Sequence, residues 1–152
     1  MRRLAAGVSI ISAASPEGPL GITATAVTSL SAEPPSLICC VNRNLVMGEA
    51  IKSMGRYAVN LLGQEHCTLA RRFAGMDGAR GTEKFAAGNW EYASDGVPRL
   101  VDSLVSFDCE VDRVVEAGTH YVLIGLVTEI RTSAHGDPLV YCDGSFSRVL
   151  TL

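Results

Sequence analysis

The sequence predicts a mainly β fold: a closed or partly open antiparallel barrel carrying two peripheral helices. Three observations support it. Short apolar runs rich in β-branched residues, each ended by Pro, Gly, Asn or Asp, recur along most of the 152 residues. One of them, from Val105 to Asp112, alternates apolar and polar side chains with the period of a strand. Only two stretches have helical spacing, and strand and helix do not alternate as a doubly wound parallel sheet requires. A barrel solves the edge problem of so many antiparallel strands.

The elements follow in order. Val8–Ala13 is β-branched and stops at Ser15-Pro16-Glu17-Gly18-Pro19. Leu20–Leu30 reads as one strand with hydroxyl residues among small apolar ones, ended by Glu33-Pro34-Pro35. Ser36–Val41 reads as a strand buried on both faces. Met47, Ala50, Ile51 and Met54 fall on one helical face, and Gly55 supplies a C-cap. Tyr57–Leu62 is a strand, and Leu69, Ala70, Phe73 and Ala74 form a second helical face. Gly75 to Gly96, with four glycines before its end and Lys84, Phe85 and Trp90 inside it, reads as a long loop. In Val105–Asp112, Ser106, Asp108, Glu110 and Asp112 form the expected wet face. Gly118 marks a turn. His120–Ile130 is apolar enough to be covered on both sides. Leu139–Cys142 and Phe146–Leu150 flank Asp143-Gly144, a hairpin signal.

Composition bounds the function. A chain of this length is one domain, residues 1–152, able to bury a core without staples. At 47% hydrophobic and 19% charged it is globular, and a net charge of -3 with a pI near 5.6 gives no pull toward nucleic acid or an anionic membrane. Arg2-Arg3 and Arg71-Arg72 are too short for a nucleic-acid tail. Cys39, Cys40, Cys67, Cys109 and Cys142 form neither a zinc spacing nor an even disulfide set, so reduced thiols in the cytoplasm are expected. No targeting segment or membrane span is evident. His66, His120 and His135 are far apart without ligand spacing, so no metal is expected.

The phosphate-loop, Rossmann, zincin and nucleophile-elbow signatures are all missing. What remains is neutral and polar. Thr23, Thr25 and Ser29 place hydroxyls on one face of a strand, and small neighbours such as Ala24 let a flat heterocycle approach the backbone. A strand that is merely rich in threonine explains the same residues. Val41-Asn42-Arg43-Asn44 lies between a strand and a helix: Asn44 could cap that helix, its first amides could receive a phosphate, and Arg43 could add a charge. A structural cap and a surface arginine serve equally well there.

In order and spacing these pieces resemble the flavin reductase-like family. The matching segments are Gly7-Val8-Ser9-Ile10-Ile11, Gly21 through Ser31 with Glu33-Pro34-Pro35, Cys40-Val41-Asn42-Arg43, Tyr57 through Leu62, Lys84-Phe85, Gly96-Val97-Pro98-Arg99-Leu100, Gly118-Thr119-His120 and Gly144-Ser145-Phe146. The resemblance implies a Greek-key split β-barrel that binds FMN, with FAD as an alternative, and takes hydride from NADH or NADPH. It implies flavin contacts from Thr23, Ala24, Thr25, Ser29, Val41, Asn42, Arg43, Asn44, Lys84 and Phe85. It places His120 as the catalytic residue beside the nicotinamide, and Gly144, Ser145 and Phe146 near it. It also implies a homodimer, and a partner monooxygenase that consumes the reduced flavin. Thr119 departs from the family pattern, which has an acidic residue before the histidine. An electron carrier or flavin reservoir without reductase activity is the alternative reading.

Overall fold

Why should a run of small residues such as Leu20–Leu30 break in two? The answer fixes the architecture. The computed structural model describes residues 1–150; of the domain expected over 1–152, Thr151 and Leu152 lie outside the described residues. The strands are β1 (Ala6–Gly7), β2 (Ser9–Ser15), β3 (Gly18–Ala24), β4 (Val27–Ala32), β5 (Pro35–Asn42), β6 (Arg56–Leu61), β7 (Trp90–Tyr92), β8 (Pro98–Leu100), β9 (Val105–Ala117), β10 (His120–Thr132), β11 (Leu139–Cys142) and β12 (Ser145–Arg148). The helices are α1 (Val46–Met54) and α2 (Cys67–Phe73). Seven strands form one antiparallel sheet in the order β3-β2-β6-β9-β10-β5-β4. β3 and β4 are therefore opposite edges, yet only Thr25 and Ala26 separate them in the chain. The sheet must curl until its edges face each other, and among the described residues no ladder joins them. The result is a barrel with a seam, as expected of a split barrel.

That seam corrects the single strand expected over Leu20–Leu30. Neither Gly nor Pro marks the break; it arises because β3 pairs with β2 while β4 pairs with β5. Four smaller corrections follow. The wet face expected for Val105–Asp112 is covered at its start: Ser106 and Asp108 are buried under β8, Ser106 bonding Asn60 and Asp108 pairing with Arg99. Ser36–Val41 and His120–Ile130 are covered on one face only. Leu37, Cys39, Val41, Tyr121 and Leu123 enter the core, while Ile38, Val122, Ile124 and Leu126 stay half open. The long loop of Gly75–Gly96 carries a 3-10 turn, Gly81–Ala86, and β7, which pairs with β8. The last strand is Ser145–Arg148 rather than Phe146–Leu150.

The barrel interior holds Ile11, Leu37, Cys39, Val41, Tyr57, Val59 and Leu123, and α1 closes it with Met47 and Ile51. Gly55 ends α1 in the left-handed conformation, φ 70°, its N–H returning to the carbonyl of Ile51. Outside the barrel, α2 lays Leu69, Ala70 and Phe73 on Val8, Ile10, Leu62 and Leu100. Asn60, fully buried in β6, ties these layers together. Its amide donates to the carbonyl of Ile10 and to Ser12 Oγ, both at 3.1 Å; its Oδ1 accepts from Leu100 N–H at 2.9 Å and Ser106 Oγ at 3.0 Å. All four valences of the amide are filled.

Candidate functional site

A cavity of about 370 Å³ opens at the seam. Edge strand β3 supplies one wall through Ile22, Thr23 and Ala24, and the link Thr25-Ala26 crosses its end. β5 and β10 supply Cys40, Asn42 and His120, which share the outer face because His120 pairs with Asn42 and Val122 with Cys40. Phe73 and Ala74 come from the end of α2, Leu45 from the start of α1, and Lys84 from the 3-10 turn. Gly21 lets this wall form. A Cβ there would collide with the ring of Phe73, whose edge lies against β3.

Chemically the cavity has one sign. Its lining contains no acidic side chain; Lys84 is its cation and His120 its imidazole. Lys84 Nζ donates to the Phe73 carbonyl at 3.0 Å and the Gly21 carbonyl at 3.4 Å, tethering α2 to β3. Burial lowers its pKa from the ordinary lysine value; the Arg80 guanidinium adds to that effect and the Asp77 carboxylate opposes it. His120 Nδ1 lies 2.8 Å from Thr119 Oγ1, so the neutral hydroxyl of Thr119 orients the ring. β3 has a partner on one side only, so half of its backbone groups point off the edge toward the seam. A flat heterocycle rich in carbonyl and imine groups meets unpaired backbone donors and acceptors there, over a floor of alanines.

A second cavity of about 400 Å³ adjoins the first and shares Ile22, Leu45 and Lys84 with it. Leu20, Gly21, Val46, Met47, Arg80 and Gly81 complete its lining.

Of the residues expected at the site, Thr23, Ala24, Thr25, Asn42, Lys84 and His120 converge on the first cavity. The Thr23 hydroxyl is engaged, donating to the Ala70 carbonyl at 2.7 Å. The others lie elsewhere. Ser29 is exposed on β4, the other margin of the seam, and does not line the cavity. The Val41 side chain is in the barrel core. Arg43 donates to the Gly118 carbonyl and pairs with Glu116 at 3.5 Å. Asn44 does not cap α1: Leu45 is at the cap position without a side-chain bond, and Asn42 Oδ1 accepts from the Asn44 N–H. Phe85 packs edge-on to Phe73 and Trp90. Gly144 forms the turn between β11 and β12; β11 pairs with β1 on its other side, making a separate small sheet, and Ser145 and Phe146 lie on β12, Phe146 against Tyr141. Sequence reasoning missed Cys40, Leu45 and Ala74 as lining residues, and Arg80 in the second cavity. Alternation along β5 would have found Cys40, since Asn42 shares its face.

Known proteins match this chain along nearly its whole length. Residues 1–150 match the flavin reductase like domain family. The 4-hydroxyphenylacetate 3-monooxygenase reductase component of Pseudomonas aeruginosa is 40% identical over 149 residues, covering 98% of this chain and 88% of that one. An FMN reductase (NADH), RutF, of Agrobacterium fabrum is 39% identical over 141 residues, covering 93% and 80%. Among solved structures, flavin reductase PheA2 superposes with a TM-score of 0.88 at 30% identity, covering 99% of this chain and 94% of that one. With a seamed barrel, an acid-free cavity on the seam and these relatives, the chain belongs to the flavin reductase like family.

Proposed function

We propose that this chain is an NAD(P)H:flavin oxidoreductase that takes FMN at the seam cavity and supplies reduced flavin to a separate monooxygenase. The single observation that carries the reading is a cavity of flat-ring size with a half-buried lysine and, among the described residues, no carboxylate in its lining. FMN, when bound, supplies a ring that accepts hydride and carries the resulting negative charge. Lys84 and the unpaired amides of β3 make the surroundings favourable to that charge. Ala24 and Ala26 leave the wall flat. Thr119 holds Nδ1 of His120, which leaves Nε2 free to orient a nicotinamide at the rim. FMN and NADH are the preferred pair in this reading, because the Agrobacterium relative carries both in its name. FAD and NADPH are the competing pair. The monooxygenase partner follows from the name of the Pseudomonas relative.

The outer faces of β5, β9 and β10 support a homodimer. Ile38, Val115, Val122, Ile124 and Leu126 form a half-open apolar stripe, continuous with Cys40, Asn42 and His120 at the cavity. A second copy seated there would cover both. A cytoplasmic location fits the free thiols, and among the described residues no helix is long and apolar enough to cross a membrane.

The test mixes purified protein with NADH and FMN and follows nicotinamide absorbance. Oxidation that requires both flavin and protein supports the enzyme. Tight flavin binding without NAD(P)H turnover would instead identify an electron carrier or flavin reservoir.

A further inference from the structure

The two adjacent arginines of α2 go separate ways. Arg71 is exposed and lies 5.2 Å over the ring of Phe146. Arg72 turns inward, and its side chain is 25% exposed. Its guanidinium takes three acceptors from the segment that follows α2. Nε donates to the Lys84 carbonyl at 3.1 Å, Nη2 to the Glu83 carbonyl at 2.8 Å and Nη1 to Asp77 Oδ2 at 2.7 Å. Asp77 Oδ1 accepts in turn from the Ala79 N–H at 3.0 Å. A planar fork of donors is particular to arginine.

That segment needs holding. Between α2 and β7 the backbone has positive φ at Gly75, Gly78, Gly81 and Gly88, and its one regular element is the 3-10 turn Gly81–Ala86. Such turns are weakly bonded within themselves. Phe85 anchors this one through the rings of Phe73 and Trp90. Lys84, one residue earlier, lines the seam cavity, and its Nζ returns to the carbonyls of Phe73 and Gly21. Arg72 and Lys84 thus form a reciprocal clamp. Through Arg72, α2 grips the backbone of the turn; through Lys84, the turn grips the backbone of α2 and β3. Arg72 itself does not line the cavity.

We propose that Arg72 is a positioning residue for the hydride reaction, acting through Lys84: its fork fixes the turn so that the Lys84 ammonium stands where negative charge develops in the seam cavity. The proposal rests on the flavin reading of that cavity. A supporting group counts when the side chain it supports must be held to a fraction of an ångström, and a lysine stem on an unanchored turn is not. A cation held in place favours the reduced, negatively charged ring over the oxidised, neutral one. Arg72 therefore strengthens binding of reduced flavin more than of oxidised flavin.

Anaerobic titrations with oxidised and with reduced FMN, on wild type, Arg72→Ala, Arg72→Lys, Lys84→Met and the Arg72→Ala, Lys84→Met double variant, measure this without turnover. Arg72→Ala should weaken reduced FMN roughly tenfold and oxidised FMN less than about twofold, which lowers the potential of the bound flavin. Arg72→Lys keeps the charge without the fork, so it should recover little, and it carries the same comparison if Arg72→Ala does not fold. With Lys84 already replaced, Arg72→Ala should cost less than about a further twofold. In flavin-free protein, Arg72→Ala should quicken hydrogen exchange at the Glu83 and Ala87 amides, which bond within the turn, and leave β6 and β9 unchanged. Equal losses for the two forms of FMN, or the same loss in the Lys84→Met background, would make Arg72 a structural residue and overturn the proposal. Unchanged affinity for reduced FMN, or full recovery in Arg72→Lys, overturns it too. Wild type that binds neither form overturns the flavin reading itself, and this proposal with it.

Discussion

The thiols of this chain sort by depth. Cys39 and Cys109 flank the buried hydroxyl of Tyr57, which finds no well-directed hydrogen-bond partner among the described residues. Burial pushes both thiols up to about 12, and it raises the Tyr57 phenol as well. The three meet tightly because Gly125 leaves room: a Cβ there would strike the Tyr57 hydroxyl. Thiol reagents at pH 8 should therefore label Cys40, Cys67 and Cys142 in the native protein, and all five cysteines once it is unfolded. FMN should slow labelling of Cys40, which lines the seam cavity. The same burial sets an alkaline limit. Between the ordinary thiol value of 9.0 and about 12, the unfolded chain has lost protons that the folded chain keeps, so stability falls as pH rises through that window. Urea unfolding at pH 8 to 11 should show this decline, and Cys39→Val should make it shallower.

At the scale of elements, Asn60 decides how β8 sits on the barrel. Asn60→Leu keeps the volume but strands Leu100 N and Ser106 Oγ in the interior, and it takes one of two hydrogen-bond partners from Ser12 Oγ, which keeps the Pro98 carbonyl. The loss should be at least about 2 kcal/mol in urea unfolding, since each stranded group costs about 1–3 kcal/mol. Asn60 shows how much the sequence conceals. It stands in the apolar run Tyr57–Leu62, where local pattern reveals a strand and nothing of four long-range partners. Strands β2, β6 and β11, both helices and the turn at Gly118 are legible, because their signals are local: side-chain period, caps and turn residues. The division of β3 from β4 is not, because pairing at two distant edges causes it. The site divides the same way. Thr23–Thr25, Asn42, Lys84 and His120 lie in segments that resemble the family, and the fold brings them together. Ser29 and Arg43 lie in equally good segments, but the seam and Glu116 carry them away. Arg80 lies in a glycine-rich stretch with no pattern to mark it.

For the whole molecule, the half-open stripe on β5, β9 and β10 is the surface that a lone copy leaves unresolved. Ile124 sits in its middle, opposite Ile38 on β5 and Arg113 on β9. A charge there should block association: Ile124→Lys should elute at the monomer mass in light-scattering chromatography, where the proposed homodimer predicts the dimer mass for wild type. Because the stripe runs into the cavity through Val122 and His120, the monomer should also bind FMN more weakly. A wild type of monomer mass would remove the homodimer from the proposed function.

The two-residue link between β3 and β4 also bears on how the chain reaches this state. Neighbours in sequence normally pair early, as a hairpin does, and the rest condenses around them. Here the neighbours end as opposite margins, with five strands between them, the last-made of which, β10, begins more than ninety residues after the link, at His120. The seam takes shape only when those five strands are in place. The seam cavity is therefore expected only once β10 has been made, and absent from any product released before it.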